Sequence, residues 1–221
     1  MKKLVAFTLP MAVFITLLGL ASAGNPPETN SWLLYSVYWI YPVQTAICGA
    51  LILWFWRNYE FRAPRGVWFA IGIAIVVFGL WIAPQQFFGA GPRVTGFNPE
   101  AFEKGSALYW VTVLLRFLRL VVVVPLVEEI FWRGFLLRYL ISEKFTTITV
   151  GRFSWISFLV VTLAFGFSHS RPDWMAAIIC GALYNLVAYR TRSLASCVVA
   201  HALTNLLLGL WIMQTGQWGF W

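Results

Sequence analysis

Eight residues whose ionisable or amide side chains could take part in a reaction lie within or at the ends of long apolar stretches of this chain. A charged group inside a membrane span costs roughly 2.5–3.5 kcal/mol on insertion scales, so each such residue needs a partner or a task. The set contains carboxylates and imidazoles, which act as general bases, and groups that stabilise developing negative charge. These residues are Arg116, Arg119, Glu128, Glu129, Arg133, His169, His201 and Asn205.

The first element of the set is the segment from Pro125 to Gly134, which contains two adjacent glutamates. Glu129 and Arg133 are four residues apart, so on a helix they share a face, and we expect them to form an ion pair. Glu128 points about a quarter turn away and has no cation nearby in sequence. A Glu/Arg pair that only solvates the end of a helix is the alternative for this segment taken alone.

Two further elements place histidines on other apolar blocks. Phe165 and His169 are one helical turn apart, and His201 and Asn205 share one face of an otherwise apolar helix. A capping histidine and a hydrogen bond between spans are the structural alternatives. Because polar groups on three different spans all require a polar surrounding, we expect them to meet in the interior of one bundle.

The composition requires lipid as the solvent of this chain. Of its 221 residues 60% are hydrophobic and only 11% are charged, against roughly 25% charged residues in soluble domains. The net charge of +8 comes from Lys and Arg at the ends of apolar blocks, so a nucleic-acid partner is not expected. The three cysteines lie inside apolar blocks without metal-site or disulfide spacing, and we interpret them as packing residues.

Apolar blocks of membrane-spanning length predict an all-α fold, a polytopic transmembrane helical bundle of about seven or eight helices. The segment 128–141 is expected to continue the fourth span as a helix. We divide the chain into N-terminal transmembrane helices and an extracytoplasmic loop (1–106), a catalytic membrane core (107–213) and an aromatic C-terminal tail (214–221). The predicted spans are 4–23, 32–56, 67–83, 107–127, 153–167, 174–189 and 194–213.

Charge asymmetry orients the bundle with a cytoplasmic N-terminus, because most Lys and Arg then lie on the cytoplasmic side and Glu28, for example, lies outside. The longest connection, 84–106, is expected to be an extracytoplasmic surface loop. Trp54, Trp68, Trp81 and Trp174, which lie near block ends, are interpreted as an aromatic belt. Ala21-Ser22-Ala23 has the form of a signal-peptidase site, but we favour retention of the first helix.

The three elements in this order resemble the motifs of the CAAX protease and bacteriocin-processing family, which includes the type II CAAX prenyl endopeptidases. The resemblance covers 107–213 and implies an intramembrane endopeptidase. It implies that Glu128 and His169 activate the attacking water and that His201 and Asn205 stabilise the oxyanion. The resemblance also implies that Glu129, Arg133 and Phe165 position the catalytic residues.

The resemblance also implies a membrane-anchored or lipidated peptide or protein as substrate. The two ends of the chain resemble a bacterial subgroup that accompanies exosortase systems, which places the protein in a bacterial inner membrane. No cofactor is assigned, but a zinc-dependent version, with Glu128, His169 and His201 as ligands, stays open. A non-proteolytic scaffold or immunity protein and a small transporter are the rival functions.

Overall fold

The computed structural model describes residues 2–22 and 36–221, and this part of the chain folds into seven long helices without strands. The predicted start of the second span at Trp32, Ala23 of the possible cleavage site and Glu28 lie outside these residues. The helices are α1 (Lys2–Ser22), α2 (Val37–Phe55), α3 (Val67–Phe87), α4 (Ala107–Tyr139), α5 (Trp155–Phe167), α6 (Trp174–Thr191) and α7 (Leu194–Thr215).

The helices form a membrane bundle, as predicted. Five of them, α1, α2, α3, α4 and α7, are long and apolar enough to cross a bilayer. Large apolar side chains such as Trp54, Trp68 and Met175 are exposed on the outer surface, where they face lipid rather than water. The protein is therefore an integral membrane protein.

Helix α5 is the short member of the bundle. Its 13 residues span roughly 20 Å, about 10 Å less than the hydrocarbon core of a bilayer. A helix of this length is too short to cross the hydrocarbon core by itself, and His169 lies two residues past its end.

Helix α4 is a single helix of 33 residues, which confirms the prediction that the polar segment after Val127 continues the fourth span. Two stretches of π-helix, Leu118–Val123 and Ile130–Leu136, interrupt its α-helical geometry. π-Helical turns are frequent at functional sites. They rotate the following side chains to another face of the helix and leave backbone carbonyls without their usual helical partners. They flank Glu128 and Glu129 on both sides.

The two ends of the bundle differ in their connections. We call the end that contains residues 56–66, 140–154 and 192–193 the basic end, where Arg138 bonds Glu60 and Ser196 bonds the backbone of Arg65. The opposite end, here the cavity end, contains residues 88–106, 168–173 and 216–221. Arg93 ties these together, because its guanidinium pairs with Asp173 at 2.6 Å and its carbonyl accepts from Gly219 N–H at 2.8 Å.

The prediction of a loop that begins at Pro84 is wrong, because α3 continues through this proline to Phe87. The connection after it also differs from an ordinary surface loop. Its residues Phe97 and Pro99 are buried, and Phe97 packs edge-on against Tyr38 at the start of α2. Contact with Tyr38 stabilises the Phe97 side chain more than exposure at the surface would, so the loop folds onto the bundle.

Candidate active site

A cavity of about 480 Å³ opens at the cavity end and extends into the bundle. All four predicted catalytic residues, Glu128, His169, His201 and Asn205, line it. They come from α4, from the turn after α5 and from α7, so the structure brings together residues that the sequence separates by up to 77 positions. Phe165 lines the same cavity.

Glu129 is the centre of a buried charged cluster beside this cavity. Its Oε1 accepts hydrogen bonds from Arg133 Nη1 at 3.0 Å and from His201 Nδ1 at 2.9 Å. Glu129 and Arg133 are fully buried. The ion pair predicted from the spacing is confirmed, but its contact with His201 was not predicted, because it joins residues 72 positions apart.

Arg133 is held by three more groups that the sequence analysis missed. Its Nε donates to Asn185 Oδ1 and its Nη2 to the carbonyl of Gly181, each at 3.0 Å, and its guanidinium lies 4.9 Å from the centre of the Phe165 ring. Asn185 in turn donates to Thr162. A fully buried guanidinium needs its donors satisfied, and this one is satisfied from α4, α6 and α5 together. A lone Asn within apolar α6 was the signal that could have indicated this.

His169 is fixed in one tautomer by the backbone of α5. Its Nδ1 lies 2.8 Å from the carbonyl of Phe165, and because a carbonyl only accepts, Nδ1 carries the proton and Nε2 is the free, basic nitrogen. Trp81 packs against the ring at 5.7 Å, and Trp174 Nε1 donates to the His169 carbonyl. The assignment of these two tryptophans to the aromatic belt therefore misses their contacts with His169.

Asn205 donates from Nδ2 to the carbonyl of Leu120 at 2.8 Å. Leu120 lies in the first π-helical stretch, where each carbonyl pairs with the N–H five residues later. That residue is Pro125, which has no N–H. Asn205 thus supplies from α7 the donor that the proline lacks, and one of its two amide hydrogens is used in doing so.

Glu128 is half-buried and points toward the cavity rather than into the Glu129 cluster. Its Oε2 is buried and has no hydrogen-bond partner among the described residues. Arg119 lines the same cavity and is close enough to interact with Glu128 electrostatically. A carboxylate in this state has an open acceptor for a water molecule or for a substrate group.

The described side chains do not form a preassembled zinc site. In the described part of the chain no three His, Cys, Asp or Glu side chains lie close enough to hold one metal ion together. Nδ1 of His201 is engaged by Glu129 and Nδ1 of His169 by a backbone carbonyl, so only the Nε2 atoms of these rings are candidate ligands. The proposed ligand set Glu128, His169 and His201 shares a cavity but does not form a coordination site.

The fold and the site define a class of protein, a helical membrane bundle whose polar interior is reached from one end. Residues 108–207 match the family model described as Rce1-like, Type II CAAX prenyl endopeptidase Rce1-like. This match agrees with the resemblance inferred from the motifs: residues 108–207 are similar to the Rce1-like type II CAAX prenyl endopeptidases. The similarity supports an intramembrane endopeptidase that acts on a protein substrate. Neither a curated protein nor a solved structure matches the chain.

Proposed function

We propose that this protein hydrolyses a peptide bond near the end of a membrane-anchored or lipidated protein, with water activated by Glu128 and His169. The observation that carries the proposal is the position of Glu128. Glu128 lines the same cavity as His169, and one oxygen of its carboxylate is buried without a hydrogen-bond partner among the described residues. Two bases facing one enclosed space can orient and deprotonate a single water.

His201 is suited to stabilise the oxyanion of the tetrahedral intermediate. Its Nδ1–H donates to Glu129, which orients the ring at the edge of the cavity, and an imidazolium in this position has an Nε2–H to donate to the oxyanion. Arg133 shares the same carboxylate and fixes its position. The second amide hydrogen of Asn205 is available for the same oxyanion.

We further propose that the N-terminus is cytoplasmic in a bacterial inner membrane, so that the cavity end is extracytoplasmic. Arg57, Arg62, Arg65, Lys144 and Arg152 belong to the connections of the basic end, which the positive-inside rule assigns to the cytoplasm. A substrate would then present its scissile bond from the extracytoplasmic side. We also propose that residues 107–213 form the catalytic membrane core. The protein would then be related to bacterial proteins that accompany exosortase systems.

The purified protein in detergent, mixed with N-acylated apolar peptides, tests the proposal. We expect cleavage, detected by mass spectrometry, and a loss of roughly 10²–10⁴-fold in Glu128→Gln, the contribution typical of a general base. Glu143→Gln, a change at an exposed glutamate of the basic end, is the matched control and should cut at the wild-type rate.

Repetition with a chelator separates the mechanisms. Cleavage that survives the chelator supports water activation by the protein's own side chains, whereas chelator-sensitive cleavage that returns with zinc contradicts it. Equal rates in Glu128→Gln and wild type would remove the catalytic role of Glu128, and no cleavage by either protein would favour a scaffold or immunity protein.

A further inference from the structure

We propose that Arg116 and Arg119 form a subsite that binds a carboxylate of the substrate peptide, a few residues from the scissile bond. The inference rests on the proposed function but concerns two residues that the motifs do not use. Both line the cavity together with Glu128 and His169.

Arg116 is a buried cation with unused donors. Its side chain is only 4% exposed, and Nε and Nη1 have no hydrogen-bond partner among the residues that the structure describes. Its guanidinium is surrounded by aromatic rings, with Tyr41 at 4.8 Å and Phe97 at 4.7 Å. Rings offset part of the cost of a buried charge, but they do not satisfy N–H donors as an anion does.

Arg119 brings a second positive charge to the same place. It lies 4.3 Å from the Tyr41 ring that also contacts Arg116, and its Nε donates to the buried Gln44 at 2.7 Å. The two guanidiniums repel each other. In the described ranges neither forms a salt bridge with an acidic side chain, and Glu128 is the carboxylate that interacts with Arg119.

This part of the cavity therefore carries an excess of positive charge that one bound anion would balance. The low dielectric of a site walled by aromatic side chains strengthens such a pair relative to the same pair in water. A peptide carboxylate suits it better than a lipid phosphate does. Phe97 and Trp221 cover Arg116, and both arginines line the cavity that holds Glu128.

The spacing along α4 sets the position of the carboxylate in the substrate. Arg119 and Arg116 precede Glu128 by nine and twelve residues, which corresponds to roughly 13–18 Å along a helix. An extended peptide covers that distance in about four or five residues. Because Arg119 already interacts with Glu128, this is an upper limit, and we expect cleavage within about five residues of the carboxylate, whether this is the C-terminus or an acidic side chain.

Binding to a variant that does not cut tests the subsite separately from catalysis. The background is His169→Ala, which leaves the arginines and Glu128 in place. The probes are an N-acetylated apolar hexapeptide with a free C-terminal carboxylate, its C-terminal amide, and the amide with one internal glutamate, each followed by calorimetry in detergent. We expect the two carboxylate peptides to bind about tenfold to a hundredfold tighter than the amide.

Arg116→Met in the same background should abolish this preference, and Arg116→Lys should retain part of it. Arg171→Gln is the matched control, because Arg171 is an exposed cation at the same end that does not line the cavity. Its preference should equal that of the background. Thermal unfolding of each variant checks that it is folded.

Equal affinity for acid and amide, or no binding of either peptide, would overturn the subsite. Tight binding of phosphatidylglycerol micelles that depends on Arg116, without discrimination between the peptides, would replace it with a lipid site. The proposed role of Glu128 in proteolysis is tested separately, in the cleavage assay, where it fails if wild type and Glu128→Gln cut at equal rates.

Discussion

His201 Nδ1 lies 2.9 Å from Glu129 Oε1, and the same oxygen lies 3.0 Å from Arg133 Nη1. One carboxylate oxygen thus joins α4 to α7 and holds an imidazole at the edge of the cavity. The second oxygen of Glu129 is buried and has no partner in the described ranges. The histidine's position and the stability of the bundle consequently depend on the same residue.

Glu129→Gln should destabilise the protein strongly, because it leaves the buried Arg133 without a counter-ion. Loss of one partner of a buried ion pair costs about 3–5 kcal/mol, which corresponds to roughly 10 °C in the apparent Tm of a chain of this size. Thermal unfolding in detergent measures it.

Glu100→Gln is the control for that prediction. Glu100 and Lys104 have the same four-residue spacing, but their side chains are 45% and 77% exposed. An exposed pair contributes little, so we expect an unchanged Tm. Similar shifts for the two substitutions would contradict the account of the buried cluster.

Gly166→Ala should disturb the packing that positions His169. A Cβ at this position would lie 2.3 Å from Ile178 Cγ1 and 3.2 Å from the Ile178 backbone, so α5 and α6 would have to separate. Overpacking of this kind costs about 1–3 kcal/mol. We expect a lower Tm and slower cleavage.

Gly79→Ala, in α3, is the comparison, because nothing lies within 4 Å of the position that its new methyl group would take. It should keep the wild-type Tm or raise it slightly, since alanine favours a helix over glycine. A Gly166→Ala variant as stable and active as Gly79→Ala would show that the close approach of α5 and α6 is not needed.

Asn205 offers a way to separate structure from chemistry. Asn205→Ala removes the donor to the part-buried Leu120 O, and loss of a partner costs up to about 1–3 kcal/mol where the acceptor is fully buried. Pro125→Ala restores the backbone N–H that can donate to the same carbonyl. The double variant should therefore regain the Tm that Asn205→Ala loses, as measured by thermal unfolding.

Cleavage by the same double variant tests the catalytic part. If Asn205 stabilises the oxyanion, the double variant should still cut roughly 10²–10³-fold more slowly than wild type, even though its Tm is restored. Recovery of both stability and activity would assign Asn205 a structural role alone.

The sidedness of the cavity can be read from single cysteines in sealed inverted and right-side-out vesicles. Ser170→Cys, at the cavity end, should react with an impermeant thiol reagent only from the extracytoplasmic side, and Glu143→Cys only from the cytoplasmic side. The native cysteines Cys48, Cys180 and Cys197 are buried and should stay unlabelled. The reverse pattern would contradict the proposed orientation.

The sequence predicts the helices well, because a long apolar stretch in lipid has few alternatives to a helix. It also predicts the Glu129–Arg133 pair, since four-residue spacing is a local property of a helix. The contacts of Glu129 with His201 and of Asn205 with Leu120 depend on how distant helices pack, and periodicity carries no information about that. The π-helical stretches of α4 shift its register in the same unpredictable way.

The loop and tail at the cavity end show a second limit. Composition makes residues 84–106 and 214–221 resemble polar or interfacial ends. In the structure Trp218 is buried and Trp221 lines the cavity. From the sequence alone, an aromatic residue near a terminus that contacts lipid cannot be distinguished from one that packs against a neighbouring loop.

The most direct test of the central claim is a double-mutant cycle of Glu128→Gln and His169→Ala, with single-turnover cleavage of one peptide as the readout. Two groups that activate one water act as a unit, so their effects are not additive. We predict that the double variant is about as slow as either single variant. Losses that multiply in the double variant, or a single variant that cuts at the wild-type rate, would contradict it.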